Sequence, residues 1–143
     1  MILLDTNVLS AIMRDPPDAA VVDWLDRQAE HDLWTTAVNV FEIRFGLARM
    51  AAGAKRRALE AAFGALLGND LAGHVLALDP MAAEAAGQLA ARRAAAGRTV
   101  DIRDTLIGGI ALARRATVAT RNTRHFEDLD TGVIDPWAPK ADA

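Results

Sequence analysis

Met1-Ile2-Leu3-Leu4-Asp5-Thr6-Asn7-Val8-Leu9-Ser10 opens the chain, and the order of residue types in it decides how the rest is read. Ile2 to Leu4 is too short an apolar run for a helix and stops at Asp5, Thr6 and Asn7, residues that favour turns and helix N-caps. The pattern predicts a buried strand handing over to a helix from Val8 to Met13. Asp5 then stands at the strand's carboxyl end, where open α/β sheets place their ligand contacts. An N-cap is the plainer role for Asp5, but Thr6 or Asn7 can cap while Asp5 faces the crevice.

The same alternation of short apolar runs and helical patterns continues. Pro16-Pro17 breaks the first helix, and Asp18 caps a second that carries Val21, Val22, Trp24 and Leu25. Leu33 to Thr35 reads as a strand. A helix follows from about Ala37 to Met50 with Gly53 as its C-terminal signal, and another from Lys55 to Leu67 is stopped by Gly68-Asn69. Val75 to Leu78 is a strand, and Asp79-Pro80 caps a long helix that ends at Ala96-Gly97. A further helix starts at Asp101 or its neighbours and runs to Arg115, followed by a strand over 117–120, a loop or turn over 122–126 and a strand at Val133-Ile134. Five short strands and about six helices predict an α/β class and an α/β/α sandwich, with helical crossovers joining a short-stranded parallel central sheet. The expected organisation is one domain over 1–138 and a loose tail over 139–143.

Composition narrows the chemistry. Among 143 residues, 52% hydrophobic and 24% charged, there is no cysteine, and the three histidines, His31, His74 and His125, lie far apart. Disulfides, thiolate nucleophiles and iron–sulfur ligation are excluded, and a histidine-built zinc site has no suitable spacing. A metal here must sit on oxygen. The net charge of −3 argues weakly against nucleic acid, yet fourteen of the sixteen basic residues are Arg, whose planar fork suits phosphate. No apolar run approaches the ~20 residues of a membrane span, and the N-terminus lacks the basic head of a signal peptide, so a cytoplasmic protein with no membrane contact is expected.

Three carboxylates stand where a purely structural role is costly: Asp5 is the first. Glu42 lies in Ala37-Val38-Asn39-Val40-Phe41-Glu42-Ile43-Arg44-Phe45-Gly46, apolar around most of its circumference, with Val38, Phe41 and Phe45 within a turn of it. Such a helix is expected to be mainly buried, and a carboxylate there needs a cation, a metal or a raised pKa. Arg44 and Arg49 are the nearest candidate partners. The third case is Val100-Asp101-Ile102-Arg103-Asp104-Thr105-Leu106-Ile107-Gly108-Gly109, where helix capping explains one of Asp101 and Asp104 and leaves the other for the crevice. Spacing alone leaves open which. Gly108-Gly109 inside the helix predicts close backbone packing. At the end of a later strand, Thr120-Arg121-Asn122 reaches the same sheet edge: Thr120 and Asn122 can order a carboxylate or metal waters, and Arg121 can hold phosphate.

These segments, with Val118-Ala119-Thr120-Arg121-Asn122 and Asp135-Pro136-Trp137, stand in the order of a known family across nearly the whole chain. The sequence resembles the PIN-domain ribonucleases, and among them the VapC-type toxins of type II toxin–antitoxin systems, in the FitB-like branch. The resemblance implies a PIN-like fold with Asp5, Glu42 and Asp104 as the catalytic acids and metal ligands. It leaves Asp101 as a cap or accessory carboxylate, and gives Thr6, Thr120 and Asn122 supporting roles and Arg121 or Arg124 a phosphate. Some relatives carry Asp where this chain has Asn122, and His125 stands before Phe126 where an Asp can otherwise serve, which bears on a second metal. The implied cofactor is Mg²⁺, with Mn²⁺ possible. The implied reaction is endonucleolytic hydrolysis of RNA by water, leaving 5′-phosphate and 3′-hydroxyl ends. Implied partners are RNA, a VapB- or FitA-like antitoxin, operator DNA reached only through that antitoxin, and a second copy of the chain in a homodimer. A receiver-type phosphoacceptor domain is a weaker reading, because Asp5 lacks an acidic neighbour and Lys55 and Lys140 lie in a helix and the tail. A catalytically silent PIN scaffold that binds RNA or partners is the stronger rival.

Overall fold

Strand β1 (Ile2–Leu4) lies at the centre of a five-stranded sheet. β2 (Leu33–Thr36) and β4 (Thr117–Ala119) pair with it, β3 (Val75–Leu76) lies beyond β2, and β5 (Val133–Ile134) beyond β4. The order is β3-β2-β1-β4-β5 and every pairing is parallel in this computed structural model, which describes residues 1–139. The predicted tail therefore lies, from Lys140 onward, outside the described residues.

Parallel strands need long crossovers, and helices supply three of the four. α1 (Thr6–Met13) and α2 (Ala19–Asp26) join β1 to β2, α3 (Ala37–Arg49) and α4 (Ala54–Ala65) join β2 to β3, and α5 (Pro80–Ala95) and α6 (Ile102–Arg114) join β3 to β4. The last crossover, to β5, has only a 3-10 turn at Thr123–His125. Alternation along the strands divides the core. Leu4 and Ala119 face α1 to α4, with Leu9, Val21, Leu47 and Phe63, while Leu3 and Val118 face α5 and α6, with Leu89, Ile107, Ile110 and Phe126. The layering is the expected α/β/α sandwich. No helix among the described residues is long and apolar enough to cross a membrane.

Gly108-Gly109 has the predicted role. A Cβ on Gly109 would stand 2.5 Å from Ala86 Cβ and 2.7 Å from the Ala82 carbonyl, so α5 and α6 meet nearly backbone to backbone. Several boundaries differ from expectation. α1 starts at Thr6 with Asp5 as its N-cap. Gly53 caps the start of α4 instead of ending α3, because Met50 N–H already closes on Leu47 and Arg56 satisfies the Ala48 and Met50 carbonyls. Gly68-Asn69 do not stop the chain's coiling. A π-helical turn, Leu66–Asp70, carries it onward, and the reversal comes at Ala72 and Gly73, both with positive φ. β3 stops at Leu76, where its pairing with Thr36 at the end of β2 is exhausted.

Candidate active site

The crossovers run one way from β1 through β2 to β3 and the other way at β4 and β5, so the topological switch falls between the carboxyl ends of β1 and β4. Open α/β sheets hold ligands in that crevice. Asp5 follows β1 directly, and its N–H donates to the Ala119 carbonyl of β4 at 3.0 Å. Asp5 is 6% exposed. A buried charge must be hydrogen-bonded to persist, and three donors meet it: Thr6 N–H at 2.8 Å and Asn39 Nδ2 at 3.0 Å on Oδ1, and the Thr120 hydroxyl at 2.7 Å on Oδ2. Asp5 is thus both cap and crevice residue.

α3 delivers two residues to the same place. Thr36 caps the helix by accepting from Asn39 N–H, and the Thr36 hydroxyl donates to Asn39 Oδ1 at 2.6 Å. That leaves the Asn39 amide group to bond Asp5 and, at 3.0 Å, Thr6 Oγ1. Glu42, three residues on, shares this face. Its half-buried carboxylate is pushed up from the usual range, first by loss of water and then by the charge of Asp5, with Arg103 opposing at 3.9 Å. The helix as a whole is less buried than its composition predicts. Phe41 and Phe45 are 59% and 49% exposed, stacked on each other, because α3 packs inward only through residues such as Val38, Ile43 and Leu47. Burial of Glu42 comes from the pocket, and its partner is Arg103. Arg44 lies over Phe63 and Arg49 over Phe45.

α6 supplies the third carboxylate. Asp101 caps the helix, accepting from Asp104 N–H at 3.0 Å, which resolves the choice left open by spacing. Asp104 is pushed up, chiefly by burial and then by the charges of Asp101 and Asp5, against the opposing effect of His125, whose Nδ1 lies 2.7 Å from Asp104 Oδ2. Asp5, Glu42 and Asp104 line one pocket of about 610 Å³ together with Thr6, Asp101, Arg121 and Asn122. Thr120 sits fully buried behind it, accepting from Asn7 Nδ2 and Asn122 N–H while donating to Asp5. Arg124 is not among the lining residues; it is exposed, and its carbonyl accepts from Arg98 at 2.9 Å.

Residue-by-residue reading of the sequence misses Asn39, Arg103 and the contact made by His125. A signal for Asn39 was available, since an amide between Val38 and Val40, three residues after a Thr N-cap, has to find buried partners. Arg93 gave no signal at all. It is 4% exposed, grips Asp128 with Nε at 2.8 Å and Nη2 at 2.9 Å, and donates to the His125 carbonyl at 2.7 Å and Thr105 Oγ1 at 3.3 Å. It thereby ties the turn bearing His125 to the start of α6 bearing Asp104.

Clustered carboxylates at the switch point of a parallel sheet define a class: the chain belongs to the PIN domain family, to which residues 2–132 match. Within that family it is similar to VapC and FitB toxins. It is 42% identical to the plasmid stability protein StbB of Pseudomonas syringae pv. tomato, covering 96% of this chain and 99% of that one. It is 38% identical to the VapC ribonuclease Y4jK of Sinorhizobium fredii, covering 97% and 99%, and 34% identical to toxin FitB of Neisseria gonorrhoeae, covering 96% and 99%. The structure of FitAB bound to the DNA fragment IR36 superimposes with a TM-score of 0.88 at 33% identity, covering 99% of each chain.

Proposed function

We propose that this protein is a metal-dependent endoribonuclease, the toxin of a toxin–antitoxin pair. The observation that carries the reading is the convergence of Asp5, Glu42 and Asp104, from three separated segments, on one pocket where Glu42 and Asp104 are pushed up by burial and by neighbouring carboxylates. The ribonuclease name of a 38% identical relative supports it.

The donors suit a hard divalent cation. They are carboxylate oxygens in a chain without cysteine, and Mg²⁺ or Mn²⁺ binds such oxygens in preference to softer ligands. Among the described residues no three His, Cys, Asp or Glu side chains already stand at ligand distance of one point, so Asp5, Glu42 and Asp104 share the pocket without a preformed cage. Asp5, Glu42 and Asp104 are the residues that would hold the ion. When bound, it supplies a Lewis acid that lowers the pKa of a coordinated water and offsets charge developing on the phosphodiester.

The chain's own residues set the geometry. Thr6, Asn39 and Thr120 fix both oxygens of Asp5, so that carboxylate is held before substrate arrives. Arg103 and His125 hold Glu42 and Asp104, and Asp101 keeps the first turn of α6 in place. Asn122 and Thr6 offer polar contacts at the rim, and Arg121 a guanidinium for phosphate. Cleavage by water leaves 5′-phosphate and 3′-hydroxyl ends. The same reading includes a VapB- or FitA-like antitoxin, operator DNA contacted only through it, a homodimer, and action in the cytoplasm. For the antitoxin and the DNA, the support is the likeness to FitAB bound to a DNA fragment.

The test is purified protein on structured and unstructured RNAs with Mg²⁺, Mn²⁺ or EDTA, beside Asp5→Asn, Glu42→Gln and Asp104→Asn. Cleavage that stops with EDTA and in the three variants supports the proposal. Cleavage untouched by EDTA, or by all three substitutions, would falsify the metal mechanism, and binding without any cleavage favours the silent scaffold.

A further inference from the structure

The pocket's acids repel a polyanion, so an RNA strand needs fixed positive charge beside them. Two arginines on the pocket wall face carboxylates, Arg103 3.9 Å from Glu42 and Arg14 3.8 Å from Asp18, and His125 Nδ1 lies 2.7 Å from Asp104 Oδ2. Arg121 differs. Among the described residues it forms no ion pair, and its guanidinium lies 4.7 Å above the Trp137 ring. Its backbone N–H donates to Asn7 Oδ1 at 3.2 Å, which fixes the base of the side chain.

The indole is itself anchored on several sides. Trp137 packs on the core cluster of α1 to α4, its Nε1–H donates to Asp18 Oδ2 at 3.1 Å, and its backbone N–H donates to Asp135 Oδ1 at 2.9 Å. The indole N–H is the main influence holding Asp18 below the usual carboxylate range. Asp18 in turn caps α2 through Ala20 and Val21 N–H. The platform under Arg121 is therefore part of the fold. A guanidinium held over an aromatic face by cation–π attraction has already lost part of the rotamer freedom that gripping a phosphate would cost.

We propose that Trp137 is a positioning residue for RNA: it holds the Arg121 guanidinium as a preformed fork for one phosphate of a single strand running through the pocket. The inference rests on the RNA reading of the pocket and adds Trp137 as the residue that positions the phosphate contact of Arg121, apart from the three acids. In this reading the ring contact, and not charge alone, positions the guanidinium. Lysine at 121 keeps the charge but loses the planar fork.

The test uses Arg121→Ala, Arg121→Lys, Trp137→Leu and Trp137→Phe in the full chain. Binding of a short fluorescein-labelled single-stranded RNA is followed by anisotropy with Ca²⁺ across a salt series, and KM and kcat are measured with Mn²⁺. Arg121→Ala and Trp137→Leu are expected to weaken binding and raise KM by about 10-fold, as loss of one charge-assisted contact does, with kcat nearly unchanged. The slope of log affinity against log salt should become shallower by about 0.7 in both, one phosphate contact on a single strand. Arg121→Lys should fall near Arg121→Ala. Trp137→Phe, which keeps a ring under the guanidinium, should stay near wild type and covers the case in which Trp137→Leu does not fold. Unchanged affinity and slope in Arg121→Ala or in folded Trp137→Leu, or wild-type binding by Arg121→Lys, overturns the proposal. RNA binding that depends on Arg121 in a protein that never cleaves leaves the subsite standing and removes the nuclease reading; cleavage with Arg121-independent binding does the reverse.

Discussion

The Thr120 hydroxyl donates to Asp5 Oδ2 at 2.7 Å, joining residues 115 positions apart at the ends of the two central strands. On the other oxygen, Asn39 makes the matching contact from α3. Together they clamp the most buried of the three acids. Thr120→Val keeps the shape and removes the donor, so it should lower kcat/KM on RNA roughly 10- to 100-fold, while Thr120→Ser retains most activity. Asn39→Ala strips partners from both Asp5 and Thr36 and should cost about 1–3 kcal/mol in urea unfolding as well as activity.

Glu42 and Asp104 are held above the usual carboxylate range by burial and by like charge. A carboxyl whose folded pKa exceeds its unfolded value binds protons more tightly in the folded state, so stability falls as pH rises from the ordinary range through the raised one. The cost is complete above the raised values. Thermal melts of the metal-free protein should therefore show Glu42→Gln and Asp104→Asn more stable than wild type by a few degrees at pH 7, with the difference vanishing in acid. Mn²⁺ should raise the wild-type Tm at pH 7 and much less near pH 4, and EDTA should reverse it.

Arg93 is the buried cation of the α5 and α6 layer, and its pairing with Asp128 holds that carboxyl below the usual range. Arg93→Met leaves Asp128 with Arg98, at 2.9 Å, as its remaining cationic partner and frees the His125 and Thr105 contacts. With Asp128 a quarter exposed, the loss should be about 2–3 kcal/mol, below that for a fully buried pair. A depressed carboxyl pKa gives stability that is present above the unfolded value and lost as pH falls through the folded one. The gap between wild type and Arg93→Met in denaturant titrations should accordingly narrow in acid.

Two glycines in helices should respond in opposite directions. Gly109→Ala drives a methyl into Ala86 and the Ala82 carbonyl, mostly backbone that cannot swing aside, and should destabilise by about 1–3 kcal/mol. Gly64→Ala in α4 meets nothing within 4 Å and should gain up to about 1 kcal/mol through helix propensity. Chemical denaturation of both variants checks the contrast.

The periodicity of Ile2 to Ser10, the Asp18 and Asp79 caps, and the Gly108-Gly109 pair are local properties, so strands, helices and the sandwich were legible from residue order alone. Asp5 and Glu42 stood out in the same way, as carboxylates beside apolar segments, whereas spacing left Asp101 and Asp104 unresolved until the Asp101 cap separated them. For Glu42 the expected cause of burial, an apolar helix, does not hold: Phe41 and Phe45 are exposed, and Glu42 is shielded by pocket residues far along the chain. Sequence by itself determined which residue types could do chemistry here, an all-oxygen set without cysteine. Only the tertiary structure decided which partners those residues met. Asn39 on Asp5, His125 on Asp104, Arg103 on Glu42 and Arg121 on Trp137 each bridge separate elements. Such pairings depend on how strand ends and helix starts converge at the switch between β1 and β4, a relation that no local pattern encodes.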